Sequence, residues 1–170
     1  MSEQNKGPTI KEDVLSLLYK ILFILLLILI LFTFIFGVTR NETLSMEPNI
    51  KNGDLVIFYR LDKKYVATNV ATVKYKDDIY ALRVVATSGD TVDIDKDGLI
   101  INGKHQTEPN INKPTMAIKG GIDYPITLKS DEIFLLGDNR ENSVDSRLFG
   151  PVKQKETLGE LMTVIRRRNF

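Results

Sequence analysis

The residues of this chain that could do chemistry fall in two windows. One is Thr43-Leu44-Ser45-Met46-Glu47-Pro48-Asn49-Ile50, where a serine hydroxyl follows a long apolar run. A serine hydroxyl becomes a nucleophile when a neighbouring base takes its proton. The other window is Leu135-Leu136-Gly137-Asp138-Asn139-Arg140-Glu141-Asn142-Ser143-Val144-Asp145-Ser146-Arg147-Leu148-Phe149-Gly150. Here an apolar strand-like run, Ile133 to Leu136, ends at a glycine that permits a positive φ. The polar loop behind it carries two acids and two arginines, which can pair through charge-assisted hydrogen bonds and lock the loop. Taken alone, this second window reads as a salt-bridged surface turn. The chain's one histidine, His105, leaves no spare imidazole for a Ser-His-Asp triad.

The elements that must position these residues can be read from the pattern. The chain has 170 residues, enough for one domain with a core. A net charge of +1 implies no nucleic-acid partner. The absence of cysteine excludes disulfides and thiolate metal sites, and no metal or cofactor is expected. Residues 1–13 read as a polar tail. From Ile21 to Val38 every residue but Thr33 is apolar or small, 18 residues that span roughly 27 Å as a helix against a hydrocarbon core of ~30 Å. Val14 to Tyr19 extend the run, and Lys20 can snorkel toward the headgroups. The segment ends Phe36-Gly37-Val38-Thr39-Arg40, a poor cleavage site, so an uncleaved signal anchor over 14–38 is expected. Lys6, Lys11 and Lys20 precede it and Arg40 follows it. That charge bias points to a cytoplasmic N-terminus and an extracytoplasmic domain over 39–170.

Beyond the anchor, short apolar runs alternate with turn signals. Asn52-Gly53 feeds a strand at Leu55 to Phe58, and residues 60–69 form a linking loop. Val70 to Tyr75 and Ile79 to Val85 read as strands around Lys76-Asp77-Asp78. Asp97-Gly98 and Asn102-Gly103 mark further turns, and 109–121 a long irregular connection. Tyr124 to Leu128 and Ile133 to Leu136 are strands, and Leu158 to Ile165 a strand or short helix. The expected fold is therefore a mostly β domain behind one transmembrane helix. Asn41-Glu42-Thr43 forms a glycosylation sequon that abuts the membrane. Arg166-Arg167-Arg168 reads as a solvated tail or a contact with anionic lipid.

Taken together, the two windows resemble the type I signal peptidases of the S26 type. The distal window is similar to their G-D-N-R-x-x-S-x-D-S-R-x-x-G box, and Ser45 with its neighbours to S-M-x-P-T, with Asn49 where Thr is usual. The resemblance implies that Ser45 is the nucleophile and that its backbone N–H and the Thr43 hydroxyl stabilise the oxyanion. It places Met46 and Pro48 at the peptide cleft and membrane. It makes Gly137, Asp138, Asn139, Arg140, Asp145 and Arg147 a structural loop, and Ser143 the serine that supports a catalytic lysine. In active members that lysine opens K-R-V-I-G-L-P-G-D. The matching string here is Leu82-Arg83-Val84-Val85-Ala86-Thr87-Ser88-Gly89-Asp90, with leucine at the position of the base.

Leucine cannot accept a proton, and Arg83 points to the opposite face of the strand and stays charged. One other amine is near in sequence. With a three-residue turn that includes Lys76, Thr72 would face Leu82 and Lys74 would be a same-face diagonal neighbour. With a two-residue turn at Asp77-Asp78, Lys74 would sit on the other face. Two functions follow. The first is a non-proteolytic family member that binds exported proteins, like the signal-peptidase-like proteins of Gram-positive pilus clusters that assist pilin polymerisation. The second is an active signal peptidase that cleaves exported preproteins with Ser45 and an unusual base, Lys74. Membrane lipid and exported preproteins or pilin subunits are the expected partners.

Overall fold

The computed structural model describes residues 10–109, 111 and 113–166. Most of the expected N-terminal tail, and Arg167 and Arg168, lie outside them. Helix α1 (Ile10–Ile30) begins with Glu12 and Asp13 in its first turn, where carboxylates suit the positive end of the helix dipole. It continues through a π-helical turn, Leu31–Ile35. Ile10–Ile35 is long enough to cross a bilayer and contains a strongly apolar window, none of which is buried against the rest of the chain.

The anchor stops short of the expected boundary. Phe36–Arg40 leave the helix and form strand β1, paired antiparallel with β2 (Leu55–Tyr59) from Phe36 opposite Tyr59 to Arg40 opposite Leu55. The first strand therefore begins at Phe36, inside the stretch 14–38 expected to be helical. Gly37 explains why. A Cβ there would lie 2.2 Å from the Phe58 ring, so only glycine lets β1 settle on that buried side chain. Val38 and Thr39 are β-branched and favour the extended chain.

The remaining strands are β3 (Val70–Tyr75), β4 (Asp78–Ala86), β5 (Thr91–Asp95), β6 (Gly98–Ile101), β7 (Lys104–His105), β8 (Ile126–Thr127), β9 (Glu132–Leu136), β10 (Val152–Lys153) and β11 (Gly159–Ile165). They form a seven-stranded sheet in the order β1-β2-β11-β3-β4-β9-β10 and a four-stranded sheet in the order β7-β6-β5-β8. The closing segment is thus a strand, and it inserts between β2 and β3.

Strand alternation distributes the apolar residues between three clusters. Tyr80, Leu82 and Val84 of β4 meet Ala71 and Val73 of β3 and Ile133 and Leu135 of β9. Phe134 and Leu136 turn to the other side of β9, against Ala86, Val92, Leu99 and Leu128. Both faces of β9 are covered, which is why Ile133 to Leu136 is apolar without alternation. Ala81, on the far face of β4 from Leu82, packs on Met46, Ile50, Val56 and Phe58.

The β3–β4 hairpin departs from both registers considered above. Its loop is Lys76-Asp77, with Tyr75 opposite Asp78, Lys74 opposite Ile79 and Ala71 opposite Leu82. Lys76 enters the left-handed region (φ 55°), which permits the tight turn without glycine. This register buries Ala71, Val73, Tyr80 and Leu82 on one face; a slip by one residue would turn them to the other. We expect Gly37→Val to destabilise the folded domain by about 1–3 kcal/mol through overpacking on Phe58. Urea unfolding in detergent micelles measures it, and an undiminished midpoint would contradict the packing described.

Candidate functional site

The Ser45 loop is built on Asn41. The Asn41 N–H donates to the Asp54 carbonyl (2.8 Å), and its carbonyl accepts from the Gly53 N–H (2.7 Å). Its side-chain amide donates to the carbonyls of Thr43 (2.9 Å) and Lys51 (3.0 Å), closing the loop between β1 and β2. Asn41 is buried and its amide nitrogen is committed twice, so the sequon is not presented to solvent. The Thr43 hydroxyl donates to Asn41 Oδ1 (3.0 Å). The oxyanion role expected of it requires that proton to be free; in this structure it is held within the loop.

Ser45 is only 2% exposed. Its carbonyl accepts the Asn139 N–H (2.9 Å), and the Asn139 side chain reaches the Leu44 carbonyl (3.2 Å), so the polar loop grips the serine by its backbone. The Ser45 hydroxyl and N–H have no hydrogen-bond partner among the described residues. Met46 was expected at the cleft or membrane and is instead a core residue, buried against Ile50, Val56, Phe58 and Ala81. An unbranched side chain fills that irregular gap well. Leu44 and Pro48, on either side, are the exposed ones.

The polar loop is locked, though not by the pairing its sequence suggests. Asp138 accepts two hydrogen bonds from Arg83 of β4, Nε to Oδ1 and Nη2 to Oδ2, both 2.7 Å. It takes a third from Asn49 Nδ2 (2.7 Å). The bond to Asp138 raises Arg83 above the usual arginine range, against the opposing effect of burial. Arg140 donates to the Gly137 carbonyl (2.9 Å), to the Thr115 hydroxyl, and to Glu108 (2.8 Å). Burial lowers its pKa, and Glu108 acts in the opposite sense. Only Asp145 and Arg147 pair within the loop. Asp145 caps helix α2 (Ser146–Phe149), holds Arg147 through Nε and Nη2 (2.9 Å each), and accepts the Gly137 N–H (3.1 Å). Arg147 then reaches the carbonyls of Arg140 (2.6 Å) and Met116 (3.0 Å). Glu108 and Thr115 were missed by the sequence reading. They lie at the edge of, and within, an irregular connection, and nothing local marks them as partners of Arg140. Arg166, read as part of a solvated tail, donates to the Asn49 carbonyl (3.0 Å) and lies 3.7 Å from Asp54, because β11 runs beside β2.

Gly137 does not take a positive φ. It is glycine for another reason: a Cβ there would lie 2.1 Å from Ser143 Oγ and 2.4 Å from the Ser45 carbonyl oxygen. The Ser143 hydroxyl and the Ser45 backbone therefore meet over this one residue. Ser143 Oγ is buried and has no hydrogen-bond partner, an expensive condition for a hydroxyl. Next to it in the chain, Val144 packs on the cluster that holds Leu82, Tyr80 and Leu135. Leu82 is 0% exposed, so an amine at its position would stand in a dry, largely apolar slot where its charged form is disfavoured.

Lys74 is exposed and opposes Ile79, so it lies on the face of β4 away from Leu82. The expected same-face approach is not formed, because the tighter turn shifts the register. His105 sits in the other sheet, exposed, 3.5 Å from Asp95. Arg83 is bound to Asp138, so none of these groups touches the Ser45 hydroxyl.

A family profile described as "Signal peptidase, peptidase S26" matches residues 14–165. The chain belongs to this family. It is 29% identical over 157 residues to a signal peptidase I of Bacillus amyloliquefaciens, covering 86% of this chain and 84% of that protein. It is 33% identical over 135 residues to signal peptidase IB of Staphylococcus aureus, covering 69% and 71%. A crystal structure of a signal peptidase I from Enterococcus faecalis aligns with 27% identity and a TM-score of 0.48, over 59% of this chain and 97% of that one.

Two outcomes test the site as built. Ser143→Ala removes an unpartnered buried hydroxyl and is expected to leave stability unchanged or raise it by about 1 kcal/mol. Asp145→Asn leaves Arg147 without its counter-charge and is expected to cost about 3–5 kcal/mol. Unfolding free energies from urea titrations run side by side should differ by at least about 3 kcal/mol, with Asp145→Asn the less stable.

Proposed function

We propose that this chain is a membrane-anchored signal peptidase family member that binds extended segments of exported proteins, pilin subunits included, and does not hydrolyse them. The supporting observation is residue 82 itself: it is leucine, closed in an apolar cluster on which Val144 packs, while the hydroxyl of the preceding Ser143 has nothing to bond. Without a base, Ser45 loses on the order of 10⁴ to 10⁶ in rate, judged from other serine proteases.

A place for an extended segment lies beside Thr43, two residues before the serine. β1 is an edge strand, and β4 has no second partner before Arg83, since β9 pairs with it only from Arg83 onward. Between these two open edges runs a groove of about 300 Å³ lined by Thr39, Arg40, Glu42, Thr43, Asp77, Asp78 and Ile79. Open strand edges accept an incoming chain by backbone hydrogen bonding. In this reading the N-terminus is cytoplasmic and the β domain extracytoplasmic, following the bias of Lys6, Lys11 and Lys20 on the N-terminal side of the apolar run from Ile21.

A second reading is active cleavage with Lys74 as base. One observation favours it: Lys74 opposes Ile79, which lines the groove together with Thr43.

Incubating a secretory precursor with the full-length protein in detergent micelles separates the two. We expect no cleavage by the natural sequence, measurable cleavage by Leu82→Lys, and loss of that gain when Ser45→Ala or Ser143→Ala is added. Cleavage by the natural sequence that disappears in Ser45→Ala would overturn the non-proteolytic reading, and its loss in Lys74→Ala would identify the base.

A further inference from the structure

The groove between β1 and β4 has a charge of its own. Glu42 stands on one side of it, and Asp77 and Asp78 at the hairpin end of the other. All three are exposed, and none is paired with a cation among the described residues. Asp78 makes one weak contact, accepting from the Tyr80 hydroxyl at 3.4 Å. Arg40 also lines the groove, but its Nη2 lies beside Gly53, 3.6 Å from where a Cβ on that residue would be, on the β2 side. Three carboxylates and one cation, Arg40, therefore line the cleft; two further cations, Lys74 opposite Ile79 and Lys76 before Asp77, stand next to the lining at the hairpin end.

The backbone at this place is equally unsatisfied. The N–H groups of Glu42, Thr43, Leu44 and Ser45 donate no hydrogen bond among the described residues, and β4 before Arg83 is paired on one side only. At the end of this stretch, the Ser45 hydroxyl is nearly fully buried yet unpartnered. Free donors along one wall and an open strand along the other call for a polypeptide in extended form. In an extended chain alternate side chains project to the same side, about 7 Å apart. Such a chain lying between Thr43 and Ile79 carries its outward side chains past Glu42 and past Asp77 and Asp78.

We infer that this groove selects extended peptide segments that carry lysine or arginine, with Glu42, Asp77 and Asp78 as the residues that set the preference. The inference rests on the binding function proposed above and adds the chemistry of the partner. Carboxylates at the rim of a cleft act mainly on specificity and on the rate of encounter, and they do so in a salt-dependent way. A segment with acidic side chains at the same positions is repelled.

The test uses the full-length protein in non-ionic detergent and three fluorescein-labelled peptides of about eight residues, long enough to span one strand. They alternate valine and threonine, with two positions set to lysine, glutamine or glutamate. Fluorescence anisotropy should give a dissociation constant for the lysine peptide about tenfold below that of the glutamine peptide at low salt, with the glutamate peptide weakest. High salt should compress the series. In the triple variant Glu42→Gln, Asp77→Asn, Asp78→Asn, all three peptides should bind alike, near the glutamine value. Equal binding of lysine and glutamine peptides by the natural sequence would overturn the charge preference while leaving the groove a peptide site. Persistence of the preference in the triple variant would overturn its assignment to these residues. If no peptide binds to either protein, the binding function falls and this inference with it.

Discussion

Asp138 holds three parts of the chain at one point. It takes a two-pronged bond from Arg83 in the central strand β4 and a further bond from Asn49 in the serine loop, and it follows directly on β9. A buried carboxylate is tolerable only when its lone pairs are met by donors in good geometry. Meeting that condition fixes where the serine loop lies against the sheet. The Asn139 N–H then bonds the Ser45 carbonyl, and Gly137 admits the close contact between that carbonyl and Ser143. Asp145 and Arg147 perform the same service one layer further in, tying the loop to α2 and to the segment around Met116. The position of Ser45 is thus set by residues distant in the chain together with the local bonds of Asn41 that close its loop.

Against this fixed scaffold, the chemistry at position 82 stands out. The slot is apolar and closed, and Val144, which packs on it, follows a serine whose hydroxyl lacks a partner. Leucine fills the apolar part and satisfies packing. It leaves the hydroxyl unmet. In the function proposed above, this scaffold supplies a binding cleft, and the hydrocarbon at position 82 supplies no proton transfer. The open edges of β1 and β4 offer backbone recognition that needs no base at all.

The anchor and the domain meet at Phe36, and the junction is a matter of packing. Hydropathy runs on unbroken to Val38, because a strand against a buried aromatic ring is as apolar as a span in lipid. Gly37 over Phe58 decides that the helix ends earlier.

Much of this protein is determined by local sequence. A long apolar stretch is satisfied only in lipid or in a core, so a helix long and apolar enough to cross a membrane was legible. Short β-branched runs between Gly, Asn and Asp turns made the mostly β domain legible, and fixed spacing in two windows made the family legible. Tertiary structure decided the rest, wherever the answer depended on residues far apart. Arg140 takes Glu108 and Asp138 takes Arg83, because pairing depends on which strands adjoin and not on which charges share a loop. The face on which Lys74 lies was decided by one residue of hairpin register. Met46 went to the core, and the Thr43 proton to Asn41, because packing and hydrogen-bond satisfaction in a closed loop act on positions that the one-dimensional pattern leaves equivalent.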